Sequence, residues 1–395
     1  MSAEIASDIL TVDSQRVSTV LEPDTVAEAA AIVSDARRDG RHLVIAGGRT
    51  RLSFGAVGGP FDASLSTRRL NRVIHYEPDD MTLAVEPGCT IRQVKTLLEA
   101  HNQTLALDAA HEDRATIGAS VATGLSGPRR LGSGSLKDWL IGIETLGPDG
   151  ALAKAGGMVV KNVTGFDMMH VHYGALGAFG LITRVNLKVF PRPACSRTIT
   201  MRFDDAADAH AAAVSLLASQ LQPSAITIAN DEGWTVRVRC DAPGSAIDRL
   251  ADRIVASATT AALAAVRLHG EGDLAVNAFR DVVDLTSGRG VARLPTPASR
   301  QLDVLVQLET FHGQRVCADV GSSLIYVAAR PSSTWLSQIR TLCANATFLA
   351  LPADLKAGLD VFGPLSAPNS DVVKRLKSSF DPGGTFNQGR FVLGL

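Results

Sequence analysis

The sequence predicts an α+β protein with more than one lobe. Its 395 residues exceed the length that one hydrophobic core usually serves. Short apolar runs bounded by glycine and proline alternate with stretches in which apolar residues recur at helical spacing. The prolines of "FPRP", ending at Pro193, indicate a lobe boundary. We expect lobes at residues 1–191 and 192–351, and a C-terminal segment at 352–395.

The first lobe begins with an α/β unit. "DTVAEAAAIVSDARRDG" predicts a helix that Asp24 caps at its start and Gly40 closes at its end. "HLVIAG" predicts a short buried strand that leaves through Gly47 and Gly48. Further strands are expected at "ASLS" and "TLAVEPG", a helix at "IRQVKTLLEAHN", and a hairpin turn at Pro148–Asp149–Gly150.

The second lobe has a different order of predicted strands and helices. From "TITMRF" to "LAAVRLHG" the predicted order is strand, helix, strand, strand, helix, strand, which is the order of a ferredoxin-like unit. A fainter second copy runs from Val291 to Leu351. The tail predicts a basic helix that stops at Asp381–Pro382–Gly383–Gly384 and continues as a polar turn.

Composition excludes several classes of protein. The 39 basic and 40 acidic residues nearly cancel, so no nucleic-acid partner is expected. No secretory signal and no apolar run of roughly 20 residues is visible, which favours a cytoplasmic protein that contacts a membrane only through partners. The 5 cysteines are scattered without the spacing of a metal site, so no metal is expected.

Glycine segments suggest a phosphate group. Gly47 and Gly48 follow a buried strand and stand beside two arginines, although a plain tight turn has the same pattern. Neither G-x-G-x-x-G at Gly47 nor G-x-x-x-x-G-K-[ST] anywhere is present, which disfavours a nicotinamide-binding start and a nucleotide hydrolase. Five such segments follow in order: Gly47–Gly48, Pro87–Gly88, 116–124, 132–138 and 177–183.

Together these five segments resemble the FAD-binding domain of the vanillyl-alcohol oxidase superfamily, the PCMH type, over residues 20–191. Residues 108–142 ("DAAHEDRATIGAS…") and 158–193 ("MVVKNVTGFDMMH…") are most similar to the shorter FAD-binding subunits of bacterial glycolate oxidases. "FDPGGTFNQGRF" resembles the closing motif of that family. The resemblance implies a PCMH-type domain of two α+β subdomains, a ferredoxin-like cap domain, and a C-terminal segment that packs back on the FAD domain.

The resemblance also implies a set of residues that contact a noncovalently bound FAD. Residues 46–52 would surround the pyrophosphate, 117–124 would line the second side, and the C-terminal residues would approach the isoalloxazine ring, where Arg390 is either a stabilising cation or a surface ion-pair partner. The expected cofactor-binding residues are Ala46, Gly47, Gly48, Arg49, Thr50, Arg51, Leu52, Pro87, Gly88, Ile117, Gly118, Ala119, Val121, Ala122, Gly124, Gly134, Ser135, Asp138, Gly180, Ile182, Asn387 and Arg390.

Two positions depart from the family pattern. Arg49 stands where the family often has a third glycine, and its guanidinium could bind phosphate at some cost in backbone freedom. Gln388 stands where proline is usual and could loosen the turn that presents Arg390.

No catalytic residue is identified. Larger relatives carry a histidine-rich metal cluster in the second half, whereas this chain has only His210, His269 and His312 there, far apart. His170 and His172 would point to opposite sides of a helix. His111 could approach the flavin or simply pack, and Lys161, in a stretch that resembles K-N-x-x-G-[FY]-D, could shape the flavin edge.

The resemblance implies an FAD-dependent oxidoreductase acting on CH–OH groups. We expect a subunit of a glycolate (2-hydroxy-acid) oxidase complex that passes electrons through its flavin to an iron–sulfur subunit, beside a larger FAD-containing subunit. Two alternatives stay open: a self-sufficient FAD-dependent dehydrogenase of the D-lactate type, and a non-catalytic scaffold with a vestigial flavin pocket.

Overall fold

The computed structural model describes residues 9–158, 167–258, 263–269 and 274–395. Lys161 lies outside the described residues. Within the described part of the chain, no helix is both long and apolar enough to cross a bilayer.

The first part of the chain contains the elements before Pro193. In chain order they are β1 (Leu10–Val12), β2 (Gln15–Val17), β3 (Val20–Leu21), α1 (Val26–Arg38), β4 (Leu43–Ala46), β5 (Ala63–Ser66), β6 (Val73–Glu77), β7 (Thr82–Val85), α2 (Ile91–Glu99), β8 (Gln103–Thr104), α3 (Ile117–Thr123), α4 (Arg130–Ser133), α5 (Leu136–Trp139), β9 (Leu140–Leu146), β10 (Leu152–Gly156), α6 (Met169–His172), β11 (Leu181–Lys188) and β12 (Phe190–Pro191).

These strands form two main sheets, as a domain of two α+β subdomains requires. One is a parallel sheet in the order β3-β5-β4, and the other is an antiparallel sheet in the order β10-β9-β11-β7-β6. The pairs β1–β2 and β8–β12 are separate two-stranded ladders. The predicted hairpin at residues 148–150 joins β9 to β10.

Helix α1 shows why the parallel sheet forms. Ala29, Val33 and Ala36 are buried at helical spacing and pack with the sheet residues Leu43 and Leu65. The predicted cap was wrong by one residue, because the side chain of Thr25, not Asp24, accepts the N–H of Glu28 at 3.2 Å. The Asp24 carboxylate pairs with Arg69 instead.

The cap domain follows the prolines. Its elements are β13 (Cys195–Phe203), α7 (Ala206–Ala218), β14 (Ala225–Ala229), β15 (Trp234–Ala242), α8 (Ile247–Ala258), β16 (Leu263–His269), α9 (Leu274–Val282), β17 (Gly290–Pro295), α10 (Ala298–Glu309), β18 (Arg315–Asp319), β19 (Leu324–Ala329), α11 (Ser333–Leu342) and β20 (Thr347–Ala350). Helices α12 (Ala353–Lys356) and α13 (Ala367–Phe380) complete the chain, with 3-10 turns at Val320–Ser322 and Val392–Gly394.

The cap contains two ferredoxin-like units in one sheet. The eight-stranded antiparallel order is β16-β13-β15-β14-β18-β19-β17-β20, so the second unit repeats the first in mirror order. The units join edge to edge where β14 pairs with β18, at Thr227–Asp319, Ile228–Ala318 and Ala229–Cys317. The second unit, which the sequence indicated only faintly, is therefore present.

The two faces of the cap sheet are covered differently. Along β19, Ile325 and Val327 pack under the ferredoxin helices, whereas Tyr326 and Ala328 point to the opposite face, as the period of a strand requires. Helix α9, which the sequence analysis did not predict, covers that second face. Its Phe279 meets the Tyr326 ring edge-on at a centroid distance of 5.0 Å.

The C-terminal segment returns to the first domain, as expected. Leu43 of β4 donates its N–H to Thr385 O at 2.7 Å and accepts the N–H of Asn387 at 2.9 Å, which makes a parallel bridge to Phe386. The buried Asp381 carboxylate shapes this return by accepting the N–H groups of Thr385 and Phe386.

Candidate active-site cleft

A cleft opens between the end of β4, helix α3 and the C-terminal segment. Its walls come from six separated stretches of sequence, and glycines and apolar side chains make up much of the lining. The lining residues are Ile45, Gly47, Arg51, Leu52, Phe54, Thr67, Pro87, Gly118, Ala119, Ala122, Thr123, Leu176, Gly177, Gly180, Leu181, Ile182, Asn387 and Arg390.

The loop after β4 presents unpaired backbone donors. Within the described residues, the N–H groups of Gly47, Gly48 and Thr50 have no protein acceptor, although Thr50 is buried. Gly47 lines the cleft, and Gly48 and Thr50 follow it in the same loop. Such groups need another acceptor, because a buried N–H without one costs free energy. Adjacent amides of this kind form an anion-binding concavity.

Arg51 adds a cation to the same wall. Its Nη1 donates to Thr123 Oγ1 at 2.7 Å, and no carboxylate pairs with it in the described part of the chain. Burial lowers the pKa of the guanidinium to about 10. A bound anion would offset that desolvation, so Arg51 and the three amides fit a phosphate.

Helix α3 divides its residues between core and cleft. Thr116 caps it by accepting the N–H of Ala119, and Ile117 and Val121 are buried in the core of the domain. The side of the helix that carries Gly118, Ala119, Ala122 and Thr123 lines the cleft. The predicted contacts in this segment therefore separate by helical periodicity.

Two glycines are required by close packing of the chain on itself. A Cβ on Gly48 would lie 1.6 Å from the carbonyl oxygen of Arg114, and one on Gly118 would lie 2.5 Å from Cβ of Pro87. Both positions exclude any side chain, because real Cβ contacts are much longer. These contacts hold the β4 loop, Pro87 and α3 together as adjacent walls.

Arg49, the departure from the family pattern, has a left-handed backbone with φ of 60°. This is the conformation that glycine adopts without cost, so arginine here is strained by about 1 kcal/mol. Burial acts to raise the pKa of the Glu22 carboxylate, but hydrogen bonds from Ser66 and Arg68 and the charges of Arg68 and Arg49 together lower it. Arg49 does not line the cleft.

Asn387 closes the cleft from the C-terminal side. Its Oδ1 accepts the N–H of Ile45 at 2.8 Å, and its Nδ2 donates to Leu176 O at 2.6 Å. With a φ of 46°, Asn387 also supplies the left-handed turn of the returning segment. One side chain therefore joins β4, the loop before β11 and the C-terminus.

Arg390 is a buried clamp and not a surface ion-pair partner. Its Nη1 lies 2.8 Å from Asp13 Oδ2, and Nη2 donates to the carbonyl oxygens of Leu52 and Phe54. Asp13 also accepts from Lys356 Nζ at 2.6 Å. The Arg390 guanidinium thus joins Asp13 to the loop after β4.

Some of the expected cofactor residues lie outside the cleft lining. Ser135 and Asp138 form the capping box of α5, in which Asp138 Oδ2 accepts from Ser135 N and Oγ at 2.7 Å. The hydrogen bonds from Ser135 lower the pKa of Asp138. The expected residues that do not line the cleft are Ala46, Gly48, Arg49, Thr50, Gly88, Ile117, Val121, Gly124, Gly134, Ser135 and Asp138.

The candidate histidines have other neighbours. His111 Nε2 lies 3.0 Å from Asp284 Oδ1, so it joins the first domain to the cap. His170 pairs with Asp167, while the buried His172 packs edge-on against Phe380. Among the described residues, no group of three or more His, Cys, Asp or Glu side chains is arranged to hold a metal.

The sequence analysis missed several lining residues. Phe54, Thr67 and Leu176 carry no glycine signature, and their place in the cleft depends on packing between distant segments. Thr123 and Gly177 fall inside segments that were recognised but were not chosen individually.

The fold is that of a PCMH-type FAD-binding domain followed by a cap, and the matches to known proteins indicate an FAD-dependent oxidoreductase. Residues 17–156 match the family described as "FAD binding domain". FAD is therefore the cofactor, and the unpaired amides beside Arg51 fit its phosphates. The fold matches a solved alkyldihydroxyacetonephosphate synthase with a TM-score of 0.69 and 16% identity, over 94% of this chain and 76% of that one.

Over most of its length, the chain is similar to glycolate oxidase subunit GlcE of Escherichia coli (strain K12). The identity is 27% over 379 residues, which span 91% of this chain and 95% of that protein. A D-2-hydroxyglutarate dehydrogenase of Xanthomonas citri pv. viticola is 29% identical over 45% of this chain and 38% of its own. Glycolate oxidase subunit GlcD of Bacillus subtilis (strain 168) is 24% identical over 52% of this chain and 44% of that protein.

Proposed function

We propose that this chain is the FAD-binding subunit of a glycolate (2-hydroxy-acid) oxidase complex. In this proposal the complex oxidises a 2-hydroxy acid to the 2-oxo acid, and the chain passes the electrons to a separate iron–sulfur subunit. The observation that carries the proposal is coverage: the alignment with GlcE includes 95% of that subunit, cap domain included. Similarity over nearly the whole length of a subunit supports a role within an assembly.

The cleft geometry supports the cofactor side of this proposal. Gly47, Gly48 and Thr50 would donate their N–H groups to the phosphates, and Arg51 would neutralise them. Asn387 would hold the returning segment against β4 and so close the site. Bound FAD supplies the acceptor for the hydride that leaves the α-carbon of a 2-hydroxy acid.

The partner assignment includes a larger FAD-containing subunit. The similarity to GlcD is confined to about half of each chain, which supports two related flavoproteins with different second halves. The iron–sulfur subunit is the third proposed component. We also propose that the chain is cytoplasmic and contacts a membrane only through this complex.

Two other functions have less support. A self-sufficient dehydrogenase of the D-lactate type would resemble the D-lactate dehydrogenase of Anaerostipes hadrus, but that match includes 46% of the relative. A scaffold with a vestigial pocket would never bind an anion there. The amides of the β4 loop would then have no hydrogen-bond acceptor, and the charge of the Arg51 guanidinium would have no counter-ion.

Purification with and without partners tests the proposal. We expect the isolated chain to carry FAD and no iron, and to oxidise glycolate poorly, whereas the co-purified complex contains iron and oxidises glycolate rapidly. Rapid glycolate or D-lactate oxidation by the isolated chain would favour the dehydrogenase. A folded chain that is colourless and does not bind added FAD would favour the scaffold.

A further inference from the structure

A cluster of charged side chains lies where α2, the segment after β8 and helix α9 of the cap meet. We call it the Glu112 cluster. Glu112 accepts from Lys95 Nζ at 2.6 Å, lies 3.5 Å from Arg92 Nη2, and also accepts from Arg280 Nη2. Beside it, Asp108 accepts from the N–H of Arg129 at 2.9 Å and from its Nε at 2.6 Å. The members are Arg92, Lys95, Asp108, Glu112, Arg129 and Arg280.

The cluster carries more positive than negative charge. Among the described residues, its four cations form ion pairs with the two buried carboxylates of Asp108 and Glu112. Burial, followed by the neighbouring Arg129, lowers the pKa of Lys95 to about 8, even though Glu112 and Asp108 act to raise it. With four cations and two carboxylates, the cluster is short of negative charge, which an anion from solution can supply.

The cluster also lies between the solvent and the FAD cleft. Five of its members line an outer cleft of about 1070 Å³ at the junction of the two domains. Arg280 lines this outer cleft and also a small inner cavity that it shares with Arg51. Arg51 in turn lines the FAD cleft. Shared arginines thus connect three cavities in a row.

The inner cavity is narrow in the structure, in which Arg280 contacts Glu112. Its volume is about 20 Å³, room for about one water molecule. Arg280 is carried by the cap, whereas Glu112 and Lys95 belong to the first domain, so a small shift of α9 or of the Arg280 side chain changes the opening. An incoming carboxylate can replace Glu112 as the partner of Arg280, because Glu112 keeps Arg92 and Lys95.

We propose that the Glu112 cluster is an entrance site for a small carboxylate anion, and that Arg280 passes the anion from the outer cleft into the inner cavity beside the FAD cleft. The inference rests on the proposed function, which supplies a 2-hydroxy-acid anion as the natural occupant. Positively lined clefts of this kind concentrate anions and speed their association.

Calorimetric titration of the full chain with oxalate, with and without bound FAD, tests the site. We expect oxalate to bind both forms, and Arg280→Gln to weaken binding by about tenfold, because a hydrogen-bonded charge pair is lost. Arg38→Gln is the matched control: it removes the same charge from an exposed part of α1, and should leave the affinity unchanged within about twofold.

Stopped-flow measurement of flavin absorbance tests the route. In the FAD-loaded chain, we expect Glu112→Gln to accelerate the oxalate-dependent change by about threefold or more, since the pairing that competes for Arg280 is weakened. Thermal unfolding shows whether this variant folds; if it does not, the calorimetry of Arg280→Gln alone decides.

The outcomes separate this inference from the proposed function. Absent oxalate binding, or equal affinity in the wild type and Arg280→Gln, overturns the site even if the complex oxidises glycolate. An Arg280-dependent oxalate site in a chain whose complex does not oxidise glycolate keeps the site and overturns the proposed function. A flavin-detected rate that Glu112→Gln leaves unchanged overturns the route.

Discussion

Asp13 and Arg390 form a buried ion pair that joins positions 377 residues apart, with Nη1 of Arg390 2.8 Å from Oδ2 of Asp13. Asp13 lies in the turn between β1 and β2. The other oxygen of its carboxylate, Oδ1, accepts a hydrogen bond from Lys356 Nζ. The pair therefore fixes the N-terminal hairpin, the segment after the cap sheet and the loop 51–55 to one another.

Asp13→Asn should destabilise the protein by about 3–5 kcal/mol, because it leaves Arg390 and Lys356 buried without a carboxylate. Urea unfolding followed by circular dichroism measures the loss. Asp79→Asn, at an exposed position, is the control and should unfold like the wild type. An unchanged midpoint for Asp13→Asn contradicts the clamp.

Arg51 and Arg49 should differ sharply in their effect on FAD. Arg51→Gln should weaken FAD binding by about tenfold to a hundredfold, since Arg51 lines the cleft without a carboxylate partner. Arg49→Gly should change the affinity by less than about twofold, because Arg49 does not line the cleft and glycine suits its left-handed backbone.

Fluorescence titration of the FAD-free protein measures both affinities. If Arg49→Gly loses FAD while Arg51→Gln retains it, the phosphate site has been assigned to the wrong arginine.

Gly118→Ala should cost about 1–3 kcal/mol and weaken FAD binding, because the added methyl group collides with Pro87 and pushes α3 away from the opposite wall. Gly157→Ala is a fair comparison, since a Cβ there has no neighbour within 4 Å. Denaturant midpoints and FAD affinities of both variants give the answer. Equal stability of the two alanine variants is incompatible with the packing described here.

His172 should make the protein sensitive to acid. Burial lowers the pKa of its imidazole to about 4 from the usual 6.5. Between these pH values the unfolded chain binds the proton and the folded chain does not, so stability falls as the pH drops from about 6.5 to 4, by up to about 3 kcal/mol.

His172→Leu should lack this part of the pH dependence, and the exposed His75→Gln should retain it. Free energies of unfolding at pH 7, 5.5 and 4 measure the difference. A wild-type and His172→Leu pair whose stability curves run parallel over this range rules out the buried neutral imidazole.

Much of the fold follows from local patterns. The order of the glycine segments predicted the FAD-binding domain, and the second ferredoxin-like unit was visible as a weak repeat of strands and helices. Helix α9 was missed, because a short apolar stretch between two strands gives no local sign that it will cover the second face of a sheet.

The site was less predictable than the fold. Ser135 and Asp138 stay expected FAD contacts, and in the structure their spacing also forms a helix cap, which the sequence analysis did not foresee. Glu112 meets Arg280 across 168 positions and Arg390 meets Asp13 across 377. Pairings at such separations arise from tertiary packing, so residue type and spacing alone do not indicate them.

The bridge between Leu43 and Phe386 has a consequence for the order of events during biosynthesis. The N–H of Ile45 has its acceptor on Asn387, 342 positions later in the chain. At about 5–20 residues per second, the ribosome needs roughly 20–70 s to synthesise that stretch. Until then the edge of β4 is uncovered and the cofactor cavity lacks a side. The cofactor cavity is therefore complete only after residue 387 has been synthesised, and a premature stop codon before that position yields a chain that has its glycine loops but lacks the segment that closes the cavity.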